Sequence, residues 1–369
     1  MTRREKIPVA EPIIGDLELE YVSDAVRSGW VSSLGEYITR FEDGIAGICG
    51  ARHAVAVSNG TSALHLALVA LGVGPGDEVI VPALTFIATA NAVRYTGATP
   101  VFCDSDDETW CIDVSDIERR ITSRTKAIVP VHLFGHPADV YLITGLARAR
   151  GIAIIEDAAE ALGTRYRGLP VGALGDAGIF SFYGNKLITT GEGGMLVTDD
   201  DAIAERARHL RDHAMHAERR YFHDEVGFNF RMTNIQAALG VAQIERFPHL
   251  LARKREIARR YGEAFRGTPG ISMQHEATWA GSSWWMTTIR IAGDAGISRD
   301  ELAAHLAANG IDTRPVFLPL HTLPPYASGE SLPVAERARH LRDHAMHAER
   351  RYFHDEVGFN FRMTNIQAA

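Results

Sequence analysis

The sequence predicts an α/β protein: a mostly parallel central sheet flanked by helices, followed by a smaller α+β C-terminal domain. Three observations carry this reading. Strand-length apolar runs alternate with helical periodicity between residues 53 and 157. The run GIAII delivers Glu156 and Asp157 to the end of a buried strand, where open α/β sheets place ligands. And 369 residues with 46% hydrophobic content are enough for one large domain and a smaller companion. The expected division is an N-terminal arm with a large domain (1–250), a small domain (251–334) and a duplicated tail (335–369).

The elements follow in order. After an extended lead-in from Pro8 to Pro12, Leu17 to Ser28 has helical periodicity, and GWVSSLGEYITRFEDGIAGICG turns into a second amphipathic helix. HAVAVSNGTSALHLALVALGV reads as strand, glycine turn and helix, with Gly60, Thr61 and Ser62 at the helix start. Unpaired N–H groups there suit a phosphate, and an ordinary Ser/Thr cap is the other reading. Gly72, Gly74 and Gly76 follow a helix and precede a strand, the reverse of a dinucleotide-binding turn, so they read as a plain turn. Phe86 follows the next strand end, where an isolated phenylalanine reads as a core aromatic. TPVFCDSD, a helix over Val114 to Thr122, the strand KAIVPVHLFG, a helix around Leu142 to Arg150 and GIAIIED continue the alternation. Past residue 250, LLARKREIARRYGEAFRG, a strand SSWWMTTIRIAG and a helix SRDELAAHLAANG build the smaller part.

Composition narrows the partners. A net charge of −8, from 46 acidic and 38 basic residues with the arginines dispersed, argues against nucleic acid. Cys49, Cys103 and Cys111 have neither metal-ligand spacing nor an even count, so they read as packed thiols in a reducing compartment. MTRREKIPVAEP lacks the apolar core of a signal peptide and no run approaches membrane-spanning length, which predicts a cytoplasmic protein with no membrane partner. His209, His213 and His216 fall at i, i+4 and i+7 on a predicted helix; the readings are a polar face or a metal site, and no HExxH pattern supports the metal.

The chemistry centres on GIFSFYGNKLITTGEGGMLVTD, residues 178–199, where two apolar runs meet across glycines as a hairpin and Lys186 is the only lysine. In aromatic, glycine-rich surroundings its ammonium form is disfavoured and its amine becomes nucleophilic; a solvated lysine at a loop tip is the alternative. Asp157 at a strand end, the Ser181 hydroxyl and Lys186 together match what pyridoxal phosphate (PLP) requires: a partner for the ring nitrogen, a phosphate ligand and an imine partner.

EDAAEALG, GDAGIFSFYGNKLITTGEGG and GFNFRMTNIQAALG resemble the DegT/DnrJ/EryC1/StrS family of PLP-dependent sugar aminotransferases, over about residues 8–334. The resemblance implies fold type I, the aspartate aminotransferase-like architecture. It assigns Lys186 as the imine lysine, where some members carry histidine and act as dehydratases. It places Asp157 on the ring nitrogen, Gly60, Thr61, Ser62 and Ser181 on the phosphate, Phe86 on the ring face and Glu160 near the ring hydroxyl. Asn229 matches an asparagine that reaches the cofactor phosphate of a neighbouring subunit, which implies a homodimer with shared active sites. Arg314 and His321 match a segment close to the substrate. The implied reaction moves nitrogen from an amino-acid donor, glutamate, to a nucleotide-linked keto-sugar. Glu160 occurs in a perosamine-forming subset, which points to a GDP-linked 4-keto-6-deoxyhexose.

Residues 335–369 repeat residues 204–238 letter for letter and depart from the family. Natural repeats diverge and stack in threes or more. The duplicate displaces the closing elements of the small domain, so an inactive or regulatory PLP-binding paralogue is one alternative. An NAD-dependent nucleotide-sugar oxidoreductase is another. The tail is expected to form a helix over Ala335 to Ala345 at most, and not to repeat the conformation of its twin, because Asn360 lacks the flanks of Asn229.

Overall fold

A computed structural model describes residues 6–340. Two helices, α1 (Asp16–Arg27) and α2 (Glu36–Cys49), lead into the predicted alternation. It runs β1 (His53–Val57), α3 (Gly60–Ala70), β2 (Glu78–Pro82), α4 (Ala88–Tyr95), β3 (Thr99–Cys103), α5 (Val114–Arg120), β4 (Thr125–Ile128), α6 (Val140–Arg148) and β5 (Ala153–Asp157). A short pair, β6 (Arg165–Tyr166) and β7 (Leu169–Pro170), precedes the predicted hairpin of β8 (Ala177–Ser181) and β9 (Gly194–Thr198). Then come α7 (Asp201–Arg211), α8 (Asn234–Phe265), β10 (Ile271–Met273), β11 (Ala280–Gly281), β12 (Ile289–Ile291), α9 (Arg299–Ala308) and α10 (Pro333–His340).

Among the described residues, seven strands form the main sheet in the order β1-β9-β8-β5-β4-β2-β3. Only β9 runs against its neighbours, β1 and β8; the other pairings are parallel. Parallel neighbours need crossover connections, and the helices that provide them cover both faces. The period of two sorts side chains between two apolar layers. Val55, Val57, Ile179 and Leu196 face one layer with Leu64, Ile80 and Ile128. Ala54, Ala56, Phe180, Met195 and Val197 face the other with Phe41, Ile45 and Phe182. Each fully buried phenylalanine here contributes about 1.5–3 kcal/mol relative to exposure. Because six strands point the same way, the loops after β1, β2, β4, β5 and β8 gather along one edge of the sheet.

Helix α8 starts on a Thr233–Gln236 capping box and buries Leu239 and Val241, with Ile244 partly covered. It packs on α1, where Gln243 and Arg246 donate to the buried Glu18 (2.6 and 2.8 Å). The expected boundary at 250 falls inside α8, so the large and small parts share one helix.

Three expectations are corrected. SSWWMTTIRIAG is a strand only at Ile289–Ile291: Trp284 has φ +52°, and the polar groups of Ser282 and Ser283 bond to the 135 and 164 loops instead of a neighbouring strand. The three histidines do not share a helix face, because α7 ends at Arg211 and His213, at φ +59°, donates its N–H to Phe228 (2.7 Å). Among the described residues no cluster of His, Cys, Asp or Glu is arranged to hold a metal. The helix start after β1 is capped by Asn59, whose Oδ1 accepts from Ser62 N–H (2.8 Å), not by a serine or threonine.

Cys49, Cys103 and Cys111 are free and buried, the packed thiols expected. No described helix is long and apolar enough to cross a membrane. In α10, the N–H groups of Val334 and Ala335 donate to Asp104 (3.1 and 2.8 Å) and Ala335 is fully buried. The expected loose end of the tail and Asn360 lie outside the described residues.

Candidate active site

Two neighbouring acids at the end of β5 face opposite ways, as alternation in a strand requires. Glu156 is fully buried and accepts N–H bonds from Gly172, Leu174 and Gly175 and one from His132 Nε2 (2.6 to 3.0 Å). His132 Nδ1 in turn accepts from Ala138 N–H (3.0 Å), which leaves Nε2 as the donor. Burial would raise the Glu156 pKa, but these donors hold it below the usual range. It is saturated and structural. Asp157 is nearly as buried, yet accepts only from Thr89 Oγ1 (2.8 Å) and Ala159 N–H (3.2 Å) and has no ion-pair partner among the described residues. Burial pushes its pKa up. A buried carboxylate with unused acceptor capacity, with Lys186 acting on it only at a distance and no cation in direct contact among the described residues, fits an incoming cationic N–H.

Lys186 sits in the loop joining β8 to β9, which is bonded to itself through Phe182, Thr189, Thr190 and Gly193 and clamped by Gln236 from α8. Its side chain is 13% exposed, not solvated at a loop tip. Nζ lies 3.8 Å from Glu160 Oε1 and 3.8 Å from the centre of the Trp285 ring. Burial lowers the lysine's pKa against the pull of Glu160 and Asp157. Glu160 is itself buried, its Oε2 accepts from Phe134 N–H (2.8 Å), and burial pushes its pKa up to about 7.

Ser181 ends β8 directly beside the start of α3. A Cβ on Gly60 would come within 2.9 Å of Ser181 Cβ, so the bare backbone lets the helix N-terminus and the hydroxyl share one corner. Thr61 and Ser62 continue that first turn; Asn59 takes the Ser62 N–H, and the helix N-terminus with the two hydroxyls favours an anion. Phe86 is 39% exposed and leads a row of rings through Phe317 (5.7 Å), then Phe134 (5.7 Å) and Trp285 (6.4 Å), ending over Lys186.

Not every expected residue joins this group. Asn229 lies next to the end of β1, where Phe230 C=O accepts from Ser58 N–H (2.8 Å), but its side chain is exposed and accepts from Arg231 (2.8 Å). Arg314 donates to Asp312 (2.7 Å). His321 is buried against Glu336 (3.2 Å), the second residue of the duplicated stretch. Sequence reasoning missed Thr89, Phe134 and Trp285. Thr89 and Phe134 carry no spacing signal, and Trp285 lies in the SSWW segment whose letters read as a strand.

A lysine held in a nearly buried loop, a buried carboxylate with no direct ion pair and an anion corner at a helix start together suit one kind of cofactor, a phosphorylated pyridinium aldehyde. The fold and site define a PLP-dependent transferase. The chain belongs to the DegT/DnrJ/EryC1/StrS aminotransferase family, whose profile matches residues 12–334 and, through the duplicate, 329–369. It is 49% identical over 333 residues to GDP-perosamine synthase of Escherichia coli O157:H7, covering 89% of this chain and 90% of that one. To GDP-perosamine synthase of Caulobacter vibrioides it is 48% identical over 339 residues, 91% of each chain. The crystal structure of the aminotransferase TlmJ from Streptoalloteichus hindustanus superposes with a TM-score of 0.85 at 35% identity, covering 90% of this chain and 91% of that one. The protein is therefore a PLP-dependent sugar aminotransferase; solved relatives occur in PLP and PMP forms. Family membership replaces the nicotinamide alternative.

Proposed function

We propose that this protein transfers an amino group from an amino-acid donor, L-glutamate, to GDP-4-keto-6-deoxymannose, giving GDP-perosamine. The observation that carries the acceptor is 44–49% identity to three GDP-perosamine synthases across most of each chain. Glu160 beside Lys186 supports it.

Bound here, PLP supplies an aldehyde that condenses with amines and a ring that accepts electrons from the donor's α-carbon. Lys186 would hold the aldehyde carbon and, once displaced by the donor amine, carry the proton between donor and cofactor carbons. Its depressed pKa keeps more of the amine neutral. Asp157, oriented by Thr89, would hold the proton on the ring nitrogen. Glu160 would face the ring hydroxyl, and its raised pKa allows it to donate as well as accept near neutrality. Gly60, Thr61, Ser62 and Ser181 would bind the phosphate and Phe86 would cover the ring. Arg314 and His321 would have to exchange Asp312 and Glu336 for substrate.

The functional unit in this reading is a homodimer. Exposed apolar side chains at Trp30 (57%), Leu34 (66%) and Val226 (87%) call for a cover, and the Asn229 side chain is exposed, bonded only to its neighbour Arg231 among the described residues. The domain division at 1–250, 251–334 and 335–369 belongs to the same proposal, with α8 as the shared strut.

The test is purified protein with PLP, glutamate and GDP-4-keto-6-deoxymannose, read by mass spectrometry. GDP-perosamine with equimolar 2-oxoglutarate is expected. Turnover of other nucleotide keto-sugars alone would overturn the acceptor. No turnover with any, in a yellow protein that borohydride labels at Lys186, would favour the inactive paralogue.

A further inference from the structure

Trp285 is 6% exposed and reaches the site from the smaller part of the chain. Its ring face lies 3.8 Å from Lys186 Nζ, on an amine whose other near neighbour is Glu160. Its indole N–H donates to Asn185 C=O (2.8 Å), in the very loop that carries the lysine. Its own carbonyl accepts from Lys254 of α8 (3.1 Å). Phe134 stacks on it at 18° while holding Glu160 through its N–H, so one residue braces both neighbours of the amine.

The backbone is built to deliver that ring. Ser282 Oγ and Ser283 N–H both donate to Gly135 C=O (2.9 and 3.1 Å), and Ser283 N–H also meets Thr164 Oγ1 (3.1 Å). Gly135 has φ +99°, and a Cβ there would lie 2.5 Å from Ser283 Oγ and 2.8 Å from Trp284 N. Trp284 and Phe134, at φ +52° and +56°, are held in a conformation that side chains seldom adopt, which persists only where packing over-determines it.

We infer that Trp285 is a positioning residue whose indole face seats the Lys186 amine when that amine is free, and whose N–H fixes the loop around it. This rests on Lys186 being the covalent anchor proposed above. A detached amine in a dry site loses its water, and a π face attracts its charged form without the fixed geometry of a hydrogen bond. The amine can then swing between cofactor and seat. The charged groups acting on it are Glu160 and Asp157, both acidic, and the ring adds a neutral contact that also favours the cation.

The test uses the full chain saturated with pyridoxamine phosphate, in which Lys186 carries no cofactor. Its reaction with isotope-coded acetic anhydride is followed from pH 6 to 10 by peptide mass spectrometry, with exposed Lys126 as the internal standard. Trp285→Leu should lower the Lys186 midpoint by about one unit, roughly a tenfold gain in neutral amine below it. Trp285→Phe, which keeps a π face, should restore at least half of that shift. Trp285→Met replaces the leucine variant if the latter does not fold. An unmoved midpoint, or equal shifts for the ring and non-ring variants, would overturn the inference in a protein whose Lys186 borohydride still labels. Absence of that label in the wild type would instead remove the anchor reading.

Discussion

At the scale of residues, the site depends on which buried charges are left wanting. Glu156 and Asp157 are adjacent, but Glu156 spends its acceptors on four donors and Asp157 on two. Asp157→Asn removes a buried charge that the cofactor-free fold does not need, so the melting temperature of that form should not fall. Turnover should drop about a hundredfold or more, the usual loss when a charge-stabilising group goes. An unchanged rate would remove Asp157 from the mechanism. Glu160 gives a pH signature. Its folded pKa of about 7 lies above the ordinary 4.5, so between these values the folded chain retains a proton that the unfolded chain has released. Stability attributable to Glu160 must therefore fall as pH rises through that window, by at most on the order of 3 kcal/mol. Melting curves of Glu160→Gln from pH 4.5 to 7.5 should lack this decline; parallel curves would show that Glu160 does not titrate there.

At the scale of elements, the hairpin and the first turn of α3 were legible because each is a local pattern: two apolar runs across glycines, and a glycine turn opening a helix. Their approach to one another was not. It depends on Gly60 having no side chain against Ser181. Gly60→Ala should push the helix start off β8 and weaken cofactor retention about tenfold in equilibrium dialysis, in keeping with overpacking costs of roughly 1–3 kcal/mol. Retention equal to wild type would place the phosphate elsewhere. The histidine series and the SSWW segment misled for the opposite reason. Periodicity reports what a segment would do alone, whereas His213 and Ser283 give their N–H groups to distant loops.

At the scale of the whole molecule, the proposed dimer gives the exposed Asn229 and the exposed apolar side chains of Trp30 and Leu34 a partner surface. Mixing Lys186→Ala chains with Asn229→Ala chains should restore activity through heterodimers that contain one intact site, up to about a quarter of wild type if subunits exchange at random. Size-exclusion chromatography with light scattering must show a dimer in the same samples. A fully active monomer would overturn the shared-site reading.

The sequence by itself determined the alternation of strands and helices, the buried parallel sheet, the lysine hairpin and the acid at the end of β5. All of these are written in local spacing and apolar content. The repeated residues mark where that authority stops. AERARH is helical at 204–209 and again at 335–340, since helix preference is local. Yet the first copy starts on Asp200 and pairs Arg206 with Glu225, while the second starts on Asp104 and pairs Arg337 with Asp107 at 3.3 Å. The same division holds at the site. The letters named Lys186 and Asp157, but only the folded chain could put Trp285 over the amine, Thr89 on the acid and Phe134 behind Glu160. Those contacts join segments as far as 100 residues apart, and it is chain packing, not sequence spacing, that sets their distances.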